Sequence, residues 1–88
     1  MSEYDDSPIE FPCDFPIKAM GRAGVDFEAT VRTLIGEYAD EARAGIKIAE
    51  SRNGRFVSVT VTVRATSRAQ LDDIYRALHA HDDVLMTL

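Results

Sequence analysis

The chain contains no tryptophan and a single cysteine, Cys13. A lone thiol cannot close an internal disulfide, so cysteine usage gives no sign of a secreted, disulfide-stapled scaffold. Three prolines and five glycines are too few for a collagen-like or low-complexity chain. Long apolar runs are missing as well. The longest is Val84-Leu85-Met86, against the roughly 20 residues of a membrane-spanning helix. Met1-Ser2-Glu3-Tyr4-Asp5-Asp6 has neither a basic region nor an apolar one and does not read as a signal peptide. The expected location is therefore the cytoplasm, with no membrane contact. Bases are also scarce: ten Lys and Arg stand against fifteen Asp and Glu, a net charge of -5. That balance makes nucleic acid an unpromising partner, since its phosphates call for a basic patch.

What remains is an 88-residue chain with 45% hydrophobic residues, enough for one small domain and one modest core. The charge is unevenly placed. Residues 1–14 hold Glu3, Asp5, Asp6, Glu10 and Asp14 and no base, so residues 15–88 balance. Residues 1–9 read as an acidic, flexible leader and residues 10–88 as a single domain.

Hydrophobic spacing assigns the elements. Residues 15–21 suit a first strand with Phe15, Ile17 and Ala19 on one face. Pro16 cannot donate to a ladder and belongs at a strand start or an edge position. Gly21 to Gly24 reads as a turn. Asp26 is placed to cap a helix in which Phe27, Val31, Leu34, Ile35 and Tyr38 share a stripe. Residues 39–44 read as a polar exit and residues 46–51 as a short strand. Asn53-Gly54 marks a hairpin. Val57, Val59, Val61, Val63 and Ala65 then alternate with Ser58, Thr60, Thr62 and Arg64, the pattern of a sheet covered on one side. Ser67 and Gln70 fit a reciprocal capping box. Leu71, Ile74, Tyr75 and Leu78 follow on one helical stripe, and Val84, Met86 and Leu88 alternate into a closing strand. The order βαββαβ predicts a ferredoxin-like α+β sandwich, a four-stranded antiparallel sheet with two helices on one face.

Glu10-Phe11-Pro12, Phe15, Lys18, Met20 and Gly21, with Val57-Ser58-Val59-Thr60-Val61, Tyr75, Leu78, Val84 and Met86, resemble the YbeD-like family of small bacterial proteins. The resemblance covers residues 9–88. It implies a fold similar to ACT domains, the regulatory modules that bind amino acids, and a loose link to lipoate metabolism. It implies no catalytic residue, because the family has none established.

Candidate chemistry is thin. His79 and His81 sit about 200° apart on a helix and do not converge as metal ligands. Cys13 stands beside Asp14, whose charge disfavours a thiolate. No cofactor is expected. The Gly21–Gly24 loop, at a helix N-terminus, is a candidate contact for a carboxylate or phosphate. The other candidate is the outer sheet face. With the valines of the third strand turned to the helices, Lys18, Met20, Ser58, Thr60, Thr62 and Arg64 face outward, joined by Lys47 and Ala49, and by Leu85 and Thr87 of the last strand. Residues 52–59 lack most of the stacking aromatics of an RNA-binding sheet. The candidate ligand or partner contacts are thus Lys18, Met20, Gly21, Arg22, Gly24, Thr60, Thr62 and Arg64. The expectation is a non-enzymatic, ACT-like regulatory module, monomeric or weakly dimeric, acting on a partner enzyme or a small carboxylate metabolite. The alternative is a small enzyme or carrier-handling protein of lipoyl metabolism with its chemistry on Cys13 or the histidines.

Overall fold

The computed structural model describes residues 10–24, 26–39, 41–51 and 53–88. The expected flexible leader, residues 1–9, lies outside them. The elements run β1 (Cys13–Arg22), α1 (Phe27–Gly36), β2 (Glu41–Glu50), β3 (Phe56–Ala65), α2 (Arg68–Ala80) and β4 (Val84–Thr87). The sheet order is β2-β3-β1-β4, and all three pairings are antiparallel. This is the ferredoxin-like sandwich that the spacing predicts.

The alternation on β3 organises the core. Val59, Val61, Val63 and Ala65 are buried beside Ile17 and Ala19 of β1. Phe27, Val31 and Ile35 of α1 and Leu71, Ile74 and Leu78 of α2 cover them from one side. α1 buries a stripe at i, i+4 and i+8 and α2 one at i, i+3 and i+7, where their side chains meet the valine row.

Several boundaries differ from the sequence expectation. β1 starts at Cys13, which pairs with Ala65, two residues earlier than expected. Pro16 sits opposite Thr62 inside the strand. The Lys18 N–H donates to the Leu88 carbonyl at 3.2 Å, so the N–H position two residues back also points to the β4 side. Pro16 therefore turns its nitrogen away from β3, and its missing N–H removes no bond of the β1–β3 ladder. α1 stops at Gly36 with Glu37 as its C-cap, and Tyr38, expected on its core stripe, is 40% exposed. The expected polar exit is the first half of β2. Its register to β3 breaks between Glu41 and Ile46. Gly45 there has φ 73°, which residues with a Cβ rarely adopt, and this lets the strand continue through the irregularity. The hairpin closes through Ser51 N–H to Phe56 O at 2.8 Å, so its loop is longer than a two-residue turn, and of the Asn53-Gly54 pair only Gly54 has positive φ.

The helix caps are partly as expected. Asp26 accepts from Ala29 N–H at 3.4 Å, and Ser67 Oγ accepts from Gln70 N–H at 3.1 Å. The Gln70 side chain does not return to Ser67. Its Oε1 accepts from Thr66 N–H at 2.7 Å and its Nε2 donates to the Tyr38 carbonyl at 2.8 Å. The residue expected to complete a local cap instead ties the start of α2 to the end of α1.

β4 differs most. Ala19 faces Thr87 and Met20 faces Met86, but Gly21 faces Val84. Leu85 is an extra residue, a bulge that resets the alternation. Thr87 therefore points to the helices, not outward as expected, and its hydroxyl lies 2.6 Å from His79 Nε2. Tyr75 donates its hydroxyl to the Leu88 carbonyl at 3.1 Å, and burial raises its phenol pKa above the ordinary value.

Candidate functional site

Both described helices lie on one side of the sheet, so among the described residues no layer covers its outer face. Pairing registers place the outward residues in rows. Lys47, Thr60, Lys18 and Leu88 form one row across the four strands. Ala49, Ser58, Met20 and Met86 form the next. Phe56 and Arg22 follow at one end, and Thr62 with Pro16, then Arg64 with Asp14, at the other.

The central row is the chemically distinctive one. Adjacent strands lie about 4.8 Å apart, so the Lys47 and Lys18 backbones are separated by about 10 Å with the Thr60 hydroxyl between. Two ammonium groups on flexible stems can converge there on one carboxylate. Arg64 is already engaged: its Nη1 lies 3.4 Å from Asp14 Oδ1, both side chains about half exposed, an arrangement of little energetic worth. Among the described side chains the face carries Lys18, Arg22, Lys47 and Arg64 against one acid, Asp14. The helices, their caps and the turn after α2 carry Asp26, Glu28, Glu37, Asp72, Asp73, Asp82 and Asp83 against Arg32, Arg68 and Arg76. A chain of net charge -5 thus presents a cationic sheet and an acidic helix layer.

The neighbouring row, Ala49, Ser58, Met20 and Met86, is mostly apolar. Met86 is 53% exposed, Leu88 of the central row 68% and Phe56 of the row beyond 38%. Met20, Ala49, Phe56 and Ser58 contribute to a shallow hollow of about 180 Å³, at whose edge Glu50 also stands. Met86 and Leu88 were not among the predicted contacts. Their outward direction depends on the Leu85 bulge, which regular alternation does not announce.

The structure divides the predicted site residues. Lys18, Met20, Thr60, Thr62 and Arg64 share the outer face, and Arg22 stands at its far corner, beside a small hollow that Leu85, Asp82 and Asp83 also line. Gly21 does not join them. It is a residue of β1, buried on the helix side, and a Cβ there would lie 2.7 Å from the Asp83 carbonyl oxygen as well as against the Phe27 ring. Gly24 lies at the strand exit, and the hollow beside it is bordered by Asp26, Glu28 and Glu50. Those carboxylates oppose an incoming anion, and the α1 N-terminus is already capped by Asp26.

The alternative centres do not assemble. Cys13 is half-buried at one end of β1. His81 lies beyond the other end, where its Nδ1 accepts from Asp83 N–H at 3.1 Å. Among the described residues no three His, Cys, Asp or Glu side chains gather around a metal-sized space, no polar or charged side chain is buried, and no helix is long and apolar enough to cross a membrane.

The fold and its face define a class: a small ferredoxin-like sandwich with an uncovered, cationic and partly apolar sheet. Residues 6–88 match the family described as "Protein of unknown function (DUF493)", and the chain belongs to that family. A UPF0250 protein of Paraburkholderia phytofirmans is 47% identical over the full length of both chains. UPF0250 protein NE1487 of Nitrosomonas europaea is 46% identical, with 96% of this chain and 98% of that one covered. These relatives bear out the resemblance to the YbeD-like family. The solution structure of protein HP0495 from H. pylori matches with a TM-score of 0.74, covering 100% of this chain and 94% of that one at 21% identity. At that identity the match speaks for the fold.

Proposed function

We propose that the protein is a non-catalytic, ACT-like binding module that takes an acidic protein partner on its outer sheet face. The observation that carries this reading is the Lys47–Thr60–Lys18 row beside the exposed apolar row of Met20 and Met86. Cations beside apolar groups suit a protein surface that offers carboxylates around an apolar contact. Among the described residues no polar side chain is buried, and catalysis draws on buried, preorganised acids, bases and donors; this favours a non-catalytic role. The carboxylates around the Gly24 hollow weigh against a small carboxylate metabolite at that loop. Among the described residues the face offers one aromatic, Phe56, at its corner, where a nucleic-acid platform would stack several. Among the described residues no nucleophile is paired with a base, which weighs against the lipoyl-enzyme reading.

The test is a double charge reversal, Lys18→Glu with Lys47→Glu. Neither residue belongs to the core, so stability is expected to change by no more than about 0.5 kcal/mol per site. Proteins captured by the wild type from lysate, quantified by mass spectrometry, are expected to fall roughly tenfold or more with the variant. Capture that survives unchanged overturns the reading. Lipoate, octanoate and amino acids belong in a parallel thermal-shift panel. A saturating small ligand adds about 2.7 kcal/mol at 100 times its Kd, and such a shift would move the function to a metabolite.

A further inference from the structure

On β1, Lys18 and Met20 both face outward, two residues and so about 7 Å apart along the strand. The same step on β2 and β3 runs from Lys47 and Thr60 to Ala49 and Ser58. Ala49 and Ser58 are small, and the space over them is the hollow bordered by Met20 and Phe56. We infer that the occupant of this face is an amphipathic helix of the partner. It sets a carboxylate on Lys18 and Lys47 and, one turn along, an aliphatic or aromatic side chain in the hollow. The inference rests on the proposed reading of the outer face as a surface for an acidic protein, and adds the element and the spacing that such a surface takes.

Charge is the first support. Lys18 and Lys47 make no ion pair among the described residues, whereas Arg64 on the same face is held by Asp14 at 3.4 Å. Arg22, beyond the hollow, stands with Asp82 and Asp83, and Glu50 at the edge of the hollow repels an acid there. The lysine row is thus the place for the carboxylate and the hollow the place for the apolar group. Volume is the second support. An apolar cavity of about 150 Å³ takes a benzene ring, so a hollow of about 180 Å³ has room for one leucine or phenylalanine side chain. Spacing is the third. Residues i and i+4 of a helix lie about 6 Å apart on one face, close to the strand step from the lysine row to the hollow. The other side of the sheet already takes a helix at this spacing, through Phe27, Val31 and Ile35 of α1. An extended segment fits worse. Laid on a sheet face, it would leave its own backbone N–H and C=O groups without partners. Its place is the outer edge of β2, where a further strand can pair.

The experiment titrates the ¹⁵N-labelled full chain with a synthetic helix of three Glu-Ala-Gln-Ala-Leu-Ala-Gln units, about 30 Å long. Taken to about 1 mM, the titration registers contacts as weak as a millimolar Kd. Glutamates and leucines form one stripe of this helix, each leucine four residues after a glutamate. The expected result is a set of saturable amide shifts at Lys18, Met20, Ser58 and Thr60. Replacing the glutamates by lysine, or the leucines by serine, should weaken binding roughly tenfold or more. So should Lys18→Glu/Lys47→Glu, and so should Ala49→Phe, which fills the hollow from its floor. Signals of α1 and α2 at their wild-type positions verify that each variant folds, and Ser58→Leu replaces Ala49→Phe if that one does not. Silence across the titration, equal binding by the lysine peptide, or shifts confined to α1 and α2 overturns the inference. A peptide with glutamate and leucine two residues apart and a central proline, binding where the helix does not, overturns it in favour of an extended segment. Octanoate moving these amides where the helix does not overturns it in favour of a small amphiphile. The titration and the capture experiment fail separately. Capture lost in Lys18→Glu/Lys47→Glu with a silent helix sinks the helix alone; a bound helix with capture unaffected sinks the functional reading.

Discussion

Gly21→Ala should destabilise the protein by about 3 kcal/mol, at the upper end of what overpacking costs. The Cβ has nowhere to go. It meets the Phe27 ring on one side and the Asp83 carbonyl oxygen at 2.7 Å on the other. The ring can swing away; the carbonyl belongs to the turn that sets the Leu85 bulge and can shift only with it. For a domain of this size each kcal/mol corresponds to roughly 4–8 °C in Tm, so a drop of about 12–24 °C is expected by calorimetry. A Tm within a few degrees of wild type would show that the turn yields easily.

Phe27→Ala should cost about 3–5 kcal/mol, the usual range for emptying a buried aromatic position. Phe27 is 2% exposed, joins the core from the first turn of α1 and lies over the one position of β1 with no side chain. Small domains hold only about 5–15 kcal/mol in all, so the variant should be marginal at 37 °C. Urea titration gives the loss directly as a lower midpoint at similar slope. The two changes should also be non-additive. Removing the ring frees one of the two obstacles to a Cβ at position 21, so Gly21→Ala in the Phe27→Ala background should cost less than in wild type, the coupling expected of residues in direct contact. Simple additivity would mean that the Asp83 carbonyl alone sets the cost of Gly21→Ala.

Both positions owe their roles to contacts between elements distant in sequence. The valine alternation of β3, the stripes of α1 and α2 and the resulting βαββαβ order were legible, because burial on one side forces periods of 2 and 3.6. Gly21, at the end of a strand, carries the local signature of a turn residue. Its actual reason, a carbonyl from a turn more than sixty residues later, is a tertiary contact with no local signature. The Leu85 bulge was hidden in the same way. Val84, Met86 and Leu88 alternate as a regular strand would, and only pairing to β1 shows that Val84 faces in while Met86 faces out. The first half of β2 carries no strand signal, because Glu41-Ala42-Arg43-Ala44-Gly45 contains no β-branched or aromatic residue; pairing with β3 overrides that weak propensity. Gln70 illustrates the converse: its spacing from Ser67 signals the cap, but its Oε1 accepts from Thr66 N–H in place of Ser67 N–H, and its Nε2 donates to the Tyr38 carbonyl at the end of α1.

For the site, the outward set on β1 and β3 was readable once the valines were assigned to the core. Which residues stand beside which was not. The Lys47–Thr60–Lys18 row emerges only from the registers of β2 and β1 against β3, and the apolar row from the bulge in β4.

The most direct test of the outer face as the binding surface is site-specific photo-crosslinking in cells that make the protein. A benzophenone amino acid replaces Thr60, at the centre of the cationic row, or Asp73, on the exposed side of α2. The account predicts a discrete protein adduct from position 60 and none from position 73. An adduct from position 73 with none from position 60 would contradict it, and would place the binding surface on the helices.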